Sequence, residues 1–410
     1  MGPLHATCCL DDGITGCAVN YTCSENHTCT SLDNNTSTSN STADPLLHQL
    51  PRYQLCRGTN LDQVHGFSVG QQNIPAPAIT KIAYYSSHGD ITGNKIGRDS
   101  IQQVLLVIHG ANRNADDYFC AASAAVASSC AESVLIIAPR FLTSSDGPVF
   151  LQEGGVAARW LDTGSGPWRY GAESIYPSRI SSFHVIDNIM KELLNITNFP
   201  NLNRIVVVGH SSGGQFVQRW ALLTSVWDHE RVRAVVANPS SYAYLIPQRF
   251  INGHWELPPK DSCPQYNQWE WGMEPSTDGK NDMEVAYKIE AMDHLHNNIS
   301  ALACRYNDRD VVYLVGSLDR CNVSTAGWCN SHGLETTCMD ELQGSNRWER
   351  SLHHLESLKQ LGIFKHKRIV VGGVGHDHSL IFTSPEGLQA LSLPIDSTEV
   401  KSDSVPVENE

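Results

Sequence analysis

Residues 206–216 read VVVGHSSGGQF. The three valines, with Ile205 before them, predict a buried strand. Gly209-His210-Ser211-Ser212-Gly213-Gly214 then places three glycines in six positions, and a helical pattern opens at Gln215 and runs to 225. A strand that turns sharply and enters a helix holds the residue at the tip clear of both elements. Gly209 and Gly213 lack the Cβ atoms that would collide in so tight a turn, and Ser211 stands at the tip. The helix start adds backbone N–H groups and a positive dipole end beside the serine oxygen. A G-x-S-x-G match is weak evidence alone, so its meaning depends on what surrounds it.

Outward from this turn, apolar runs recur at 79–87, 104–110, 134–139, 205–211, 232–239, 311–317 and 369–374. They are continuous rather than alternating, the pattern of strands covered on both faces. Helical patterns fall between them at 116–129, 181–194, 215–225 and 348–361. This alternation predicts an α/β fold with a doubly wound, mostly parallel sheet. Two connections, 140–181 and 238–310, are too long for plain crossovers and are aromatic-rich. Both leave strands at their carboxyl ends, the side on which open α/β sheets bind ligands. Trp160, Trp168, Trp255, Trp269 and Trp271 lie in them and are expected to line a substrate cleft, which hints at a bulky apolar or aromatic substrate.

A serine needs a base to take its proton, and the base needs an orienting acid. In a strand–turn–helix elbow of this kind the chain order is serine, acid, histidine. VVYLVGSLD ends in Asp319 just past a strand, and IVVGGVGHDHSL places His376 just past the last one. His378 is the rival base. Asp308 and Asp310 are weaker rivals to Asp319 because they precede the strand, and Asp377 is expected to point away. The oxyanion donors are expected at the N–H of Ser212 and, in the loop of LLVIHGANRNADDYF, at the N–H of Ala111. Three adjacent residues of one loop seldom converge on an ion, so no metal is expected at His376-Asp377-His378. His109 is expected to be a packed loop residue, and the pairs His294/His296 and His353/His354 are expected to face solvent.

IHGANRNADDYF, GHSSGGQFVQRW, ANPSSYAYL, LQGSNRWER and GVGHDHSLIFTSPEG together resemble the α/β-hydrolase superfamily, over about residues 79–391. Within it the chain is similar to a poorly characterised secreted group of microbial eukaryotes and bacteria. The resemblance implies a serine hydrolase with a Ser211–Asp319–His376 triad and no cofactor. It does not extend to the Cys-rich head, and the cysteine-laden stretch after Asp319 is longer than a minimal hydrolase needs.

The 410 residues carry a net charge of −14, which argues against nucleic acid and anionic membrane partners. No stretch approaches 18 consecutive apolar residues, so no span is expected. Thirteen cysteines, five of them in the first 29 residues, suggest disulfides and an oxidising compartment. Cys120 and Cys130 flank the first helical pattern and are expected to form a local bridge, and Cys263 with Cys304, both in the larger insertion, is a weaker candidate pair. Sequons begin at Asn20, Asn26, Asn34, Asn35, Asn40, Asn195, Asn298 and Asn322, and five of these eight precede residue 43. MGPLHATCCL has no basic start or long apolar run, so a secretory leader is expected to have been removed. Composition divides the chain into a Cys-rich module (1–30), a polar glycosylated linker (31–49), the α/β unit (50–395) and an acidic disordered tail (396–410). The expected function is a secreted serine esterase, with amide or peptide bonds less favoured, acting on a small or polymeric ester. The Cys-rich head suits a surface or matrix ligand. The alternative is a catalytically silent binding or adhesion glycoprotein on the same fold.

Overall fold

The computed structural model describes residues 21–23, 29–31, 65–69, 80–92, 98–129, 131, 133–147, 149, 151–152, 154–162, 167–259, 261–275, 282–321 and 333–395. Of the head and linker, only two three-residue strands, Tyr21–Cys23 and Cys29–Ser31, are among them. The sequons at Asn20, Asn26, Asn34, Asn35, Asn40 and Asn322 and the acidic tail lie outside.

All seven apolar runs form strands of one nine-stranded sheet. In chain order the main strands are β1 (His65–Ser68), β2 (Thr80–Ser86), β3 (Gln103–Ile108) and β4 (Val134–Arg140). Then come β5 (Arg204–His210), β6 (Val232–Ala237), β7 (Asp310–Gly316) and β8 (Lys367–Val371). Their spatial order is β8-β7-β6-β5-β3-β4-β2-β1, and the short strand Val156–Ala157 also pairs with β2. β2 runs antiparallel to β1 and β4, while β3 through β8 pair in parallel. Sequence pattern misses β1, whose four residues HGFS carry a single large apolar side chain.

Both sheet faces are buried, which is why the runs read as continuous. Val104, Leu106, Ile205, Val207 and Val236 face one core layer, beneath helices α2 (Ser182–Leu194) and α3 (Ser212–Leu223). Leu105, Val107, Val206, Val208 and Val235 face the other, beneath α1 (Ala115–Ser129). The long connection before β7 contains two helices that its weak periodicity conceals, α4 (Asp282–Asp293) and α5 (Ile299–Asn307). After β7 come a single turn, α6 (Cys338–Glu341), and α7 (Arg347–Gln360); after β8 come α8 (His378–Thr383) and α9 (Pro385–Ala390). Among the described residues no helix is long and apolar enough to cross a membrane.

Cys263 bridges Cys338, not Cys304, and so ties the second insertion to α6. Among the described residues Cys304 is free, on the exposed side of α5. Cys120 and Cys321 are also disulfide-bonded. Cys130, the expected partner of Cys120, lies outside the described residues.

Candidate active site

The turn between β5 and α3 is as tight as its glycines allow. A Cβ on Gly209 would lie 2.2 Å from the Gly213 carbonyl oxygen, and one on Gly213 would lie 2.2 Å from that of Ile108. Ser211 at the tip has φ 60° and ψ −123°, a backbone state that L-residues avoid. It is held there by its N–H donating to the Ala237 carbonyl and its carbonyl accepting from Gln215 N–H, each 3.0 Å. Ser212, the first residue of α3, is buried, and its N–H is one that an α-helix leaves without an intrahelical acceptor. Because Gly213 packs on the carbonyls of Ile108 and His109, the start of α3 abuts the end of β3, and half-buried Ala111 follows directly in that loop.

His109 braces this loop, as expected of a packed residue. Phe141 N–H donates to its Nε2 at 3.0 Å, so Nδ1 carries the proton and donates to the Gly110 carbonyl at 2.8 Å. Burial pulls its pKa down to about 4, so the ring is neutral.

The β7 and β8 ends supply the rest. His376 Nδ1 lies 2.7 Å from Asp319 Oδ2. Asp319 is 1% exposed, and the buried guanidinium of Arg347, at the start of α7, stands 3.7 Å from its other oxygen. Trp348 N–H donates to the Asp319 carbonyl, which fixes the backbone as well. His376-Asp377-His378 point to three different partners. Asp377 caps α8 through Leu380 N–H, and His378 stacks on Tyr118 with centroids 4.1 Å apart. The rival acids are also occupied elsewhere. Asp308 pairs with Lys365, while Asp310, at the opposite end of β7, pairs with Arg204 and Arg233.

Sequence reasoning missed His210. Its ring lies 4.4 Å, centroid to centroid, from that of His376. Asn238 Nδ2 donates to its Nε2 at 3.3 Å, leaving Nδ1 to donate to the Tyr118 hydroxyl at 3.2 Å. Burial, reinforced by His376 and His378, holds its pKa well below the usual value, so a neutral ring walls one side of His376. Asn238 also accepts from Gly316 N–H and donates to the Gly375 carbonyl, joining the ends of β5, β6 and β7 to the His376 loop. The signal available was position alone: each residue directly follows or ends a strand at its carboxyl edge.

The tryptophans depart from expectation. Trp160, Trp168 and Trp269 have no exposed surface, and Trp271 keeps 8%. They are the cores of the insertions rather than walls of an open cleft, because so much aromatic area is better removed from water than left on a loop. Trp168 stacks on Phe141, and Trp160 and Trp269 donate their indole N–H groups to backbone carbonyls. Trp255 is half-buried on a hairpin, edge-on to Phe250. His354 is fully buried too, stacked on Tyr242 with centroids 4.2 Å apart, instead of facing solvent.

Beside the elbow lies a buried charged cluster. Arg169 contacts Glu335 at 2.6 Å and Glu270 at 3.6 Å. Trp271 donates to Asp340, whose pKa is pushed up to about 6 by burial and by Glu335. The unfolded chain ionises this carboxyl first, near pH 4. The contribution of protonated Asp340 is therefore present below that pH and lost as pH rises through about 6. Asp340→Asn removes this loss and keeps an acceptor for Trp271. Thermal midpoints measured from pH 4 to 7 are expected to show the variant gaining steadily on the wild type. A difference that does not change with pH would contradict the assignment.

The strand order, the antiparallel β2 and the β5–turn–α3 elbow define an α/β-hydrolase fold. No family model matches the chain, and no curated protein matches it. Among solved structures it is similar to LpqC, a poly(3-hydroxybutyrate) depolymerase from Bordetella parapertussis. The identity is 18%, covering 78% of this chain and 86% of that one, with a TM-score of 0.47. It is also similar to poly(aspartic acid) hydrolase-1 from Sphingomonas sp. KT-1, at 19% identity, 81% and 98% coverage and TM-score 0.46. A third is the siderophore hydrolase EstB from Aspergillus nidulans, at 13% identity, 82% and 100% coverage and TM-score 0.37. The fold assignment rests on the strand order, not on these likenesses.

Proposed function

We propose that this chain is a secreted, glycosylated serine hydrolase that cleaves carboxylic esters. The observation that carries the reading is the 2.7 Å contact from Asp319 to His376 Nδ1, in a chain whose Ser211 is held at φ 60° on the elbow. A carboxylate at Nδ1 keeps the proton there and leaves Nε2 with its lone pair, the form a general base needs. Ser211 Oγ attacks the carbonyl carbon as His376 Nε2 takes its proton. The N–H groups of Ala111 and Ser212 donate hydrogen bonds to the oxyanion. The tetrahedral intermediate collapses, and His376 returns the proton to the departing alkoxide. Water then cleaves the acyl-enzyme, with its proton passing to His376 and back to Ser211. An ester fits best because an alkoxide leaves with less assistance than an amine.

Secretion and glycosylation are supported by the Cys263–Cys338 bridge and by the exposed sequon asparagines Asn195 and Asn298. Treatment with a fluorophosphonate probe, followed by mass spectrometry of the modified peptide, tests the function. Labelling is expected at Ser211 and is expected to vanish in Ser211→Ala. A folded wild-type protein that takes no label would overturn the proposal in favour of a binding glycoprotein.

A further inference from the structure

Gln215 lies one turn along α3 from Ser211 on the same helix face, since its N–H closes the first bond to the Ser211 carbonyl. Helical side chains lean toward the N-terminus, so its amide covers the turn nearest Ser211. Both hydrogens of its amide nitrogen are committed, to Ser241 Oγ and to Glu335 Oε2, each at 2.8 Å. Glu335 can only accept there, which fixes the orientation of the amide. Gln215 is 1% exposed, yet among the described residues its Oε1 has no hydrogen-bond partner. Glu270, 4% exposed, likewise has its Oε2 without one. Two buried acceptors of one cluster thus lack donors, a costly arrangement unless something else supplies them.

Two of the cations around them, Arg219 and Arg350, have their donors already used. Arg219 donates to the carbonyls of Glu270, Gln215 and Ser241 and to Ser241 Oγ. Arg350 donates to the carbonyls of Gly344, Ser240 and Glu335. Charge is balanced as well once Asp340 ionises above about pH 6. Arg169, Arg219 and Arg350 stand against Glu270, Glu335 and Asp340, so an incoming group has no net charge to neutralise. Glu335 keeps 19% of its side chain exposed.

We infer that Gln215, Glu270 and Glu335 form a substrate subsite for a neutral hydrogen-bond donor, a hydroxyl or amide N–H carried by the acyl group a few bonds from the scissile carbonyl. The inference rests on the serine-hydrolase reading and replaces the apolar substrate that the tryptophans suggested.

The experiment compares p-nitrophenyl esters of hexanoic, 3-hydroxyhexanoic, 3-methoxyhexanoic and 3-acetamidohexanoic acids. Each rate is normalised to uncatalysed hydrolysis, and the fluorophosphonate probe is run in parallel. The methoxy compound keeps the size and the oxygen but loses the donor. The hydroxyl or acetamido ester is expected to exceed the methoxy and plain esters at least tenfold in kcat/KM. Gln215→Met and Glu335→Gln are expected to bring that ratio toward one. Equal turnover of all four esters by the labelled wild type overturns the subsite and leaves the hydrolase reading intact, as does a labelled enzyme that turns over none of them. Failure of Ser211 to take the probe overturns the hydrolase reading itself.

Discussion

In the proposed triad, Asp319→Asn is expected to lower kcat on the order of 10⁴-fold, the scale reached when the acid of a Ser-His-Asp triad becomes an amide. The side chain keeps its size, but the group facing His376 changes. A carboxylate accepts from Nδ1–H across 2.7 Å. An asparagine that turns its NH₂ there forces the proton onto Nε2, so His376 presents a hydrogen to Ser211 where the reaction needs a lone pair. Asparagine can instead turn its oxygen toward Nδ1. Its NH₂ then faces the Arg347 guanidinium, which stands 3.7 Å from the other carboxylate oxygen. Arg347 is 1% exposed, so this orientation sets an N–H donor against a buried cation and is disfavoured. Steady-state hydrolysis of a p-nitrophenyl ester, with the thermal midpoint as a check on folding, measures the effect. A folded variant within tenfold of the wild type would remove Asp319 from the triad.

Gly213→Ala is expected to damage both stability and activity. The new methyl would lie 2.2 Å from the Ile108 carbonyl oxygen and 2.6 Å from that of His109. Both are backbone atoms of β3 and its loop, so no rotamer change relieves the contact. α3 must move away from β3, and overpacking of this kind reaches about 3 kcal/mol or more. The same shift separates the Ser212 N–H from the loop that carries Ala111. These are the proposed oxyanion donors, and loss of one such donor alone costs about 10²–10³-fold in kcat. Gly372 provides the control: a Cβ there meets nothing within 4 Å, and Gly372→Ala is expected to be close to neutral. Urea denaturation and ester turnover of the two variants compare the effects directly. Equal behaviour would mean the elbow tolerates what its packing forbids.

The parts of this site that could be read from sequence are those written in consecutive residues. A doubly buried strand shows as an unbroken β-branched run, so seven strands stood out. The elbow is six contiguous residues, and Asp319 and His376 each follow a recognisable strand. The His376–Asp319 contact, across 57 positions, needed only chain order and strand ends to anticipate.

What the sequence left open depends on side chains that meet only after folding. Arg347 directly precedes the helical pattern at 348–361, and nothing local marks it as the partner of Asp319. Arg169 and Glu335 come from different connections, yet they meet at 2.6 Å. Cys263 had Cys304 nearer in sequence, but α5 turns that thiol outward and α6 brings Cys338 close instead. Tryptophan is placed by the volume available to it, and composition does not say whether that volume is a core or a cleft. Local periodicity by itself determined the sheet, the elbow and the order of the reactive groups. Tertiary packing alone decided which charges are paired, which aromatics are hidden and which acceptors remain without a donor. Those outcomes are set by distances between elements far apart in the chain, and hydrophobic periodicity carries no information about them.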